Sequence, residues 1–210
     1  MIAAAGLAGT CAASRLASSS TAGVGRSELA SHWVRQRRIC RSTKPCGRPK
    51  SASPAAAIAH GDYRIDNCVV DAGDPGRLAA VLDWELSSLG DPLTDLGMFL
   101  FYWESGARLA PAIVSSIPGL PGFPTGAELA QRWSDRTGLP LDDVDWFRAF
   151  AHFKIAVIIQ GIKARVNSDA MGGQDFGDLT SAVSDTAEAG LGWHRAWQSP
   201  GRAAPAERNP

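Results

Sequence analysis

The segment His60–Asn67, HGDYRIDN, is the densest cluster of polar side chains in the chain, and Asp83 follows Asn67 by only sixteen residues. The intervening stretch reads as two short strands in a hairpin: an apolar run from Cys68 to Val70, a Gly/Asp/Pro turn in AGDPGR, and a second apolar run from Leu78 to Leu82. A hairpin returns the chain beside its own start, so Asp62 and Asn67 on the entering loop and Asp83 at the far end of the second strand can converge. Hard oxygen ligands of this kind suit Mg²⁺, which takes a few protein oxygens together with phosphate oxygens and water. A carboxylate beside such a site can orient or deprotonate a hydroxyl nucleophile for phosphoryl transfer. Asp and Asn are also ordinary turn residues, and each of Asp62, Asp66 and Asn67 taken singly reads as a loop hydrogen-bonder. Arg64 and Asp66 read as structural.

After the hairpin the pattern becomes helical. Asp91 before Pro92 reads as an N-cap ahead of a proline at the first helical position, and Leu93, Leu96, Gly97, Leu100 and Phe101 recur at helical spacing. Pro111 to Pro124 is a loop with four prolines, closed by Thr125 and Glu128 as a capping box opening a helix through about Arg136. A long helix is predicted from near Asp142 through WFRAFAHFKIAVIIQGIKARV, apolar over so much of its circumference that it reads as buried and central. His152 on it reads as a core or groove histidine rather than a base, and Trp103, Trp146, Phe147, Phe150 and Phe153 as core or as the lining of a groove. A last helix is expected between Asp178 and Trp197, with a frayed tail from Ser199.

The 21 basic and 21 acidic side chains cancel, but they are not mixed. Residues 1–50 hold nine basic groups against the single acid Glu28, a net of +8, which leaves −8 for the remainder. Up to about residue 56 there is no period of 3.6 or 2, so that stretch is expected to be solvated and disordered. Its basic run, WVRQRRICRSTKPCGRPK, contains one aromatic residue, Trp33, and no recognisable binding module, which argues against nucleic acid as a partner. The Ala-rich start lacks positive residues ahead of a strongly apolar run and does not read as a secretory signal. No stretch of the sequence reaches the roughly 18–20 apolar residues of a membrane span. Cys11, Cys40, Cys46 and Cys68 show neither paired CxxC spacing nor the density of a disulfide scaffold. A soluble cytoplasmic protein with reduced thiols is expected.

HGDYRIDN, then VLDWE, then GDPLTDLG resembles the catalytic core of the aminoglycoside phosphotransferase and choline-kinase-like group, whose fold is similar to the C-terminal lobe of protein kinases. The stretch AAVLDWELSSLGDPLTDLG is most similar to the kinase-like domain found fused to acyl-CoA dehydrogenases. The resemblance is strong from Ile58 to Trp103 and looser through Trp197. It implies a mainly α fold with a short β-hairpin, a kinase-like C-terminal lobe over residues 57–198, and transfer of the γ-phosphoryl group of ATP, with Mg²⁺, to a hydroxyl of a small-molecule substrate. Asp62 then matches the catalytic aspartate, Asn67 and Asp83 the metal-binding positions, and Asp95 the helix aspartate that braces the catalytic loop. His60 takes a structural hydrogen-bonding role, and Asp91 keeps the N-cap role read from its own context. An inactive remnant or binding module of the same fold is the alternative. A metallophosphoesterase, suggested by GDPLTD, lacks the earlier DxH and later GNH that its metal site needs.

One part of the family pattern is not found in the sequence. Kinase-like transfer uses a Gly-rich strand-turn-strand over the nucleotide phosphates and a strand lysine paired with a helix glutamate. The residues before His60 contain no alternating strands, Lys44 and Lys50 lie in a Pro-rich segment, and Glu28 precedes both. The N-terminal lobe is therefore expected to be missing and residues 1–56 to be foreign to the family, as a misplaced start or an upstream frameshift would produce. The upstream DNA, read in all three frames, is expected to encode a Gly-rich loop and a strand lysine; finding neither there refutes this explanation.

Overall fold

The apolar stretch around Phe147–Ile162 buries Phe147, Ala151, Ile155, Ile159 and Ile162 against the other helices, while Val157 and Ile158 on its remaining face stay 47% and 40% exposed. In the computed structural model, which describes residues 51, 55–110, 114 and 122–199, this stretch forms one 24-residue helix, Val144–Asn167. At 1.5 Å per residue such a helix is about 36 Å long. Four short strands precede the helices: β1 (Ala57–Ala59), β2 (Cys68–Val70), β3 (Leu78–Val81) and β4 (Ser88–Gly90). The helices are α1 (Leu93–Leu100), α2 (Gly106–Leu109), α3 (Gly126–Thr137), α4 (Val144–Asn167) and α5 (Leu179–Gln198), with a π-helical segment, Phe101–Ser105, joining α1 to α2.

The hairpin read from the sequence is present as β2 and β3, antiparallel, with Cys68 opposite Val81 and an irregularity between Val69 and Val70. A second two-stranded ribbon, β1 with β4, was not anticipated; it pairs Ile58 with Leu89. Strands of three residues are too short to show a period, and their large side chains Ile58 and Leu89 are the exposed ones, at 67% and 75%, while the buried Ala59 is small. The fold is thus mostly helical with two small sheets. The basic segment, most of the proline loop and the tail beyond Ser199 lie outside the described residues, and with them the expectations made for them.

Helix ends follow their local chemistry. Thr125 and Glu128 form the full capping box at the start of α3, which ends at Gly138 in the left-handed conformation. Asp178 accepts the backbone N–H groups of Thr180 and Ser181 at the start of α5. The start of α4 is tied to the end of α5 by Asp143, whose carboxylate accepts the Trp197 indole N–H at 2.9 Å.

Two buried clusters form the core. Leu93, Leu96, Leu100, Ala130 and Phe147 join α1 and α3 to the beginning of α4. Met98, Phe101, Ala151, Ile155, Ile159 and Val183 belong to the other, larger cluster, between α1, α4 and α5. Glycines set the closest approaches: a Cβ on Gly97 would lie 2.6 Å from the Phe147 carbonyl oxygen, and one on Gly190 would lie 2.8 Å from His152 Cβ. Contacts that tight admit no methyl group without moving a helix. No helix among the described residues is long and apolar enough to cross a membrane.

His152 lies in this core, 1% exposed, edge-on to Phe101 at 4.8 Å. Its Nδ1 donates to the Arg148 carbonyl at 2.7 Å, which leaves Nε2 as the unprotonated nitrogen. Burial, reinforced by the positive charges of Arg148 and Arg108, lowers its pKa to about 4 from 6.5. The unfolded chain takes up this proton near pH 6.5 and the folded one does not, so stability is fully present above pH 6.5 and declines as pH falls towards 4. Urea denaturation at pH 7 and pH 4.5 is expected to show a loss of roughly 2–3 kcal/mol from this group. The variant His152→Gln should lack that component; an identical pH dependence in the variant would refute the assignment.

Candidate active site

The loop that leaves β1 turns sharply because Gly61 adopts φ +87°, a left-handed value that side chains rarely take. A Cβ there would also stand 2.6 Å from the Leu86 carbonyl oxygen, so only glycine fits. The turn aims two successive amides at one acceptor. His60 N–H donates to Asp95 Oδ2 at 2.7 Å and Gly61 N–H to Asp95 Oδ1 at 2.8 Å, which uses both carboxylate oxygens and ties the loop to α1.

His60 extends the tie to the hairpin. It is 2% exposed, its Nδ1 accepts the Asp62 N–H at 3.2 Å, and its Nε2 donates to the Leu82 carbonyl at 2.7 Å. A ring nitrogen that accepts an amide hydrogen carries no proton, so the neutral Nε2–H form is the one these two bonds select. Trp84 covers the ring, with centroids 4.8 Å apart.

Asp62 and Asn67 are joined directly: the Asn67 side-chain NH₂ donates to the Asp62 carbonyl at 2.9 Å. That bond engages the nitrogen of the amide and leaves its oxygen for other partners. The Asn67 carbonyl accepts the Leu82 N–H at 2.8 Å, extending the β2–β3 ladder by one step and bringing Asp83 to the same end of it. Asp83 itself adopts φ 65°, a left-handed value for a non-glycine residue, and its side chain makes no capping hydrogen bond to the 3₁₀ turn Trp84–Leu86 that follows. Asp62, Asn67 and Asp83 are thus gathered at one end of the hairpin, with His60 and Asp95 beneath the loop. Asp91 stands apart, its carboxylate accepting the Leu93 N–H at 3.0 Å at the start of α1. Asn67 and Asp83 carry oxygens of the hard kind that Mg²⁺ prefers, and the Asn67 amide is held in one orientation by its bond to Asp62.

Two further side chains reach this loop, and neither was singled out in the sequence. Tyr102 donates its hydroxyl to Asp62 Oδ1 at 2.7 Å. Burial, with the Asp62 carboxylate adding to it, pushes the Tyr102 phenol well above its ordinary range. Lys154, on α4, donates its ammonium to the Gly61 carbonyl. Burial lowers the Lys154 pKa while the charges of Asp62 and Asp95 oppose the shift. Tyr102 sits in the π-helical segment, which spreads its residues differently from an α-helix, and Lys154 is a lone cation between Phe153 and Ile155. An isolated lysine inside an apolar helical run was the available signal. Arg64 pairs with Asp66 and lies over the Tyr102 ring, 4.7 Å from its centroid. Beside them Phe99, Tyr102, Trp103 and Val114 line a surface recess.

A model of the phosphotransferase enzyme family matches residues 16–129. The chain is similar to Acyl-CoA dehydrogenase family member 11 of Mus musculus, 36% identical over 140 residues, covering 64% of this chain and 18% of that protein. It is similar also to Acyl-CoA dehydrogenase family member 10 of Mus musculus, 32% identical over 144 residues, with 62% and 13% covered. The chain therefore spans less than a fifth of the length of these relatives. Among solved structures, it is similar to a protein from Ralstonia eutropha assigned as an aminoglycoside phosphotransferase, with a TM-score of 0.54 and 29% identity, covering 84% of this chain and 56% of that one.

Gly61→Ala is expected to destabilise the fold by roughly 2–4 kcal/mol, combining a left-handed alanine with a backbone collision. Urea denaturation measures it; a loss below about 0.5 kcal/mol, the range of an unconstrained surface change, contradicts the packing described.

Proposed function

The chain belongs to the phosphotransferase enzyme family, and on that basis we propose that it transfers the γ-phosphoryl group of ATP, with Mg²⁺, to a hydroxyl of a small molecule in the cytoplasm. The observation that supports this reading best is the placement of Asp62, Asn67 and Asp83 at the same end of the β2–β3 hairpin, where the Asn67–Asp62 and Leu82–Asn67 hydrogen bonds hold the backbone. Asp62 orients the acceptor hydroxyl and takes its proton. Asn67 and Asp83 hold Mg²⁺ through oxygen. When bound, the ion would neutralise charge on the phosphate oxygens during transfer. His60 and Asp95 support the loop, and Asp91 fixes the start of the helix that carries Asp95.

Little covalent work falls to the protein in phosphoryl transfer, so positioning decides the rate. The loop is suited to that demand: the backbone N–H groups of His60, Gly61 and Asp62 are all engaged by side chains of the fold. The sequence of residues 1–56 offers no Gly-rich strand-turn-strand and no strand lysine for the nucleotide, so transfer would be incomplete without the family's N-terminal lobe. The reading predicts that Mg·ATP raises the thermal midpoint of the full chain, by roughly 5–10 °C at a nucleotide concentration a hundredfold above its Kd. ATP with excess chelator should give a much smaller shift, and Asp83→Asn should remove the magnesium-dependent part. A folded protein with no shift favours an inactive remnant or binding module.

A further inference from the structure

We propose that Lys154 and Tyr102 are positioning residues for Asp62, and that together they leave Asp62 Oδ2 as the oxygen that meets the acceptor hydroxyl. This rests on the phosphotransferase reading above for what Asp62 does, and on the described geometry for how it is held. The peptide group between Gly61 and Asp62 is gripped at both ends: its carbonyl accepts from Lys154, and its N–H donates to His60 Nδ1. With Gly61 N–H held by Asp95, neither peptide of the turn can rotate without breaking a bond to the rest of the fold. The carboxylate is then fixed by the Tyr102 hydroxyl on Oδ1 at 2.7 Å.

The placement of Lys154 argues for a task. A lysine on a largely apolar helix ordinarily extends its head to water and covers apolar surface with its stem. Lys154 instead turns its ammonium inward to a backbone carbonyl, close enough to Asp62 and Asp95 to feel both charges, although burial disfavours the cation there. Tyr102 faces the loop while its neighbours turn elsewhere: Phe101 stacks edge-on to His152 and the Trp103 indole N–H donates to the Pro124 carbonyl at 2.8 Å. Lys154 lies beyond the residues matched by the family model, so the family match assigns it nothing.

The test uses the full chain and three variants, Lys154→Met, Lys154→Arg and Tyr102→Phe. Residue-resolved amide exchange should be at least about tenfold faster at Gly61 and Asp62 in Lys154→Met, unchanged along α5, and largely restored in Lys154→Arg. Unchanged exchange at those two amides, or a uniform rise through α4 and α5, overturns the role of Lys154. At a single pH of 8 the Asp62 ¹³Cγ resonance should move in Tyr102→Phe; no movement overturns the role of Tyr102. Mg·ATP turnover with water as acceptor supplies the functional arm. Lys154→Met and Tyr102→Phe should lower kcat by about 10–100-fold with KM for ATP within about twofold. A raised KM at constant kcat counts against positioning. A wild-type chain without turnover counts against the phosphotransferase reading, while the exchange and resonance results still decide how Asp62 is held.

Discussion

The carboxylate of Asp95 is the point through which the helical body governs the loop. Its two oxygens accept the N–H groups of His60 and Gly61, so the direction of the loop is inherited from α1. Hydrogen bonds to a charged acceptor are stronger than neutral ones, and two on adjacent residues leave the backbone little freedom. The position of α1 is inherited in turn. Gly97 seats it directly on the Phe147 carbonyl of α4, and Leu93, Leu96 and Leu100 pack into the cluster that includes Phe147 and Ala130. A path of contacts therefore runs from the long helix through Gly97 and Asp95 to Asp62. Displacing any member moves the carboxylate at the end.

Polar groups inside the helical layer follow the same economy of partners. Arg148 is 6% exposed, pairs with Glu104 at 2.5 Å and places its guanidinium over the Trp193 ring at 4.4 Å. Glu104 also lies against Gly126, the first residue of α3, where any side chain would collide with it. Negative charge at a helix N-terminus is favourable, and the absence of a side chain on Gly126 is what permits that approach. One ion pair thereby relates α3, α4, α5 and the π-helical segment, which apolar packing alone would leave free to slide.

Much of the architecture was legible because it is written in local chemistry. The capping box of Thr125 and Glu128 follows from interactions within a few residues, and the apolar breadth of α4 is visible along one stretch of the chain. The hairpin was legible because two apolar runs flank a turn dense in Gly, Asp and Pro. The β1–β4 ribbon was not, since its partners are three-residue strands 31 positions apart in register, Ile58 with Leu89, and only the small Ala59 marks its buried face. At the candidate site, Asp62, Asn67, Asp83 and Asp95 were identified because they fall in ordered motifs. Tyr102 and Lys154 escaped notice because their relation to Asp62 exists only in three dimensions, across 40 residues for Tyr102 and, through Gly61, 93 for Lys154. Helical periodicity assigns a residue to a face, and a face says nothing of which loop crosses it.

The π-helical turn at Phe101–Ser105 also has a geometrical meaning. An α-helix advances about 100° per residue, which fixes the angle between any two side chains it carries. Five consecutive residues here are all at least partly covered, and four of them serve different neighbours: Phe101 faces His152, Tyr102 faces Asp62, Trp103 reaches Pro124 and Glu104 meets Arg148. The wider turn accommodates an additional residue within nearly the same axial length, so it acts as a phase shifter between α1 and α2. Shortening this turn by one residue would restore a regular helix and put the downstream segment about 100° out of phase with the upstream one. The Asp95 and Arg148 contacts could then no longer be satisfied by one continuous rod. The length of this turn is thus a counted quantity, fixed by angle rather than by composition, and conservative changes of residue type within it are less disruptive than any change in their number.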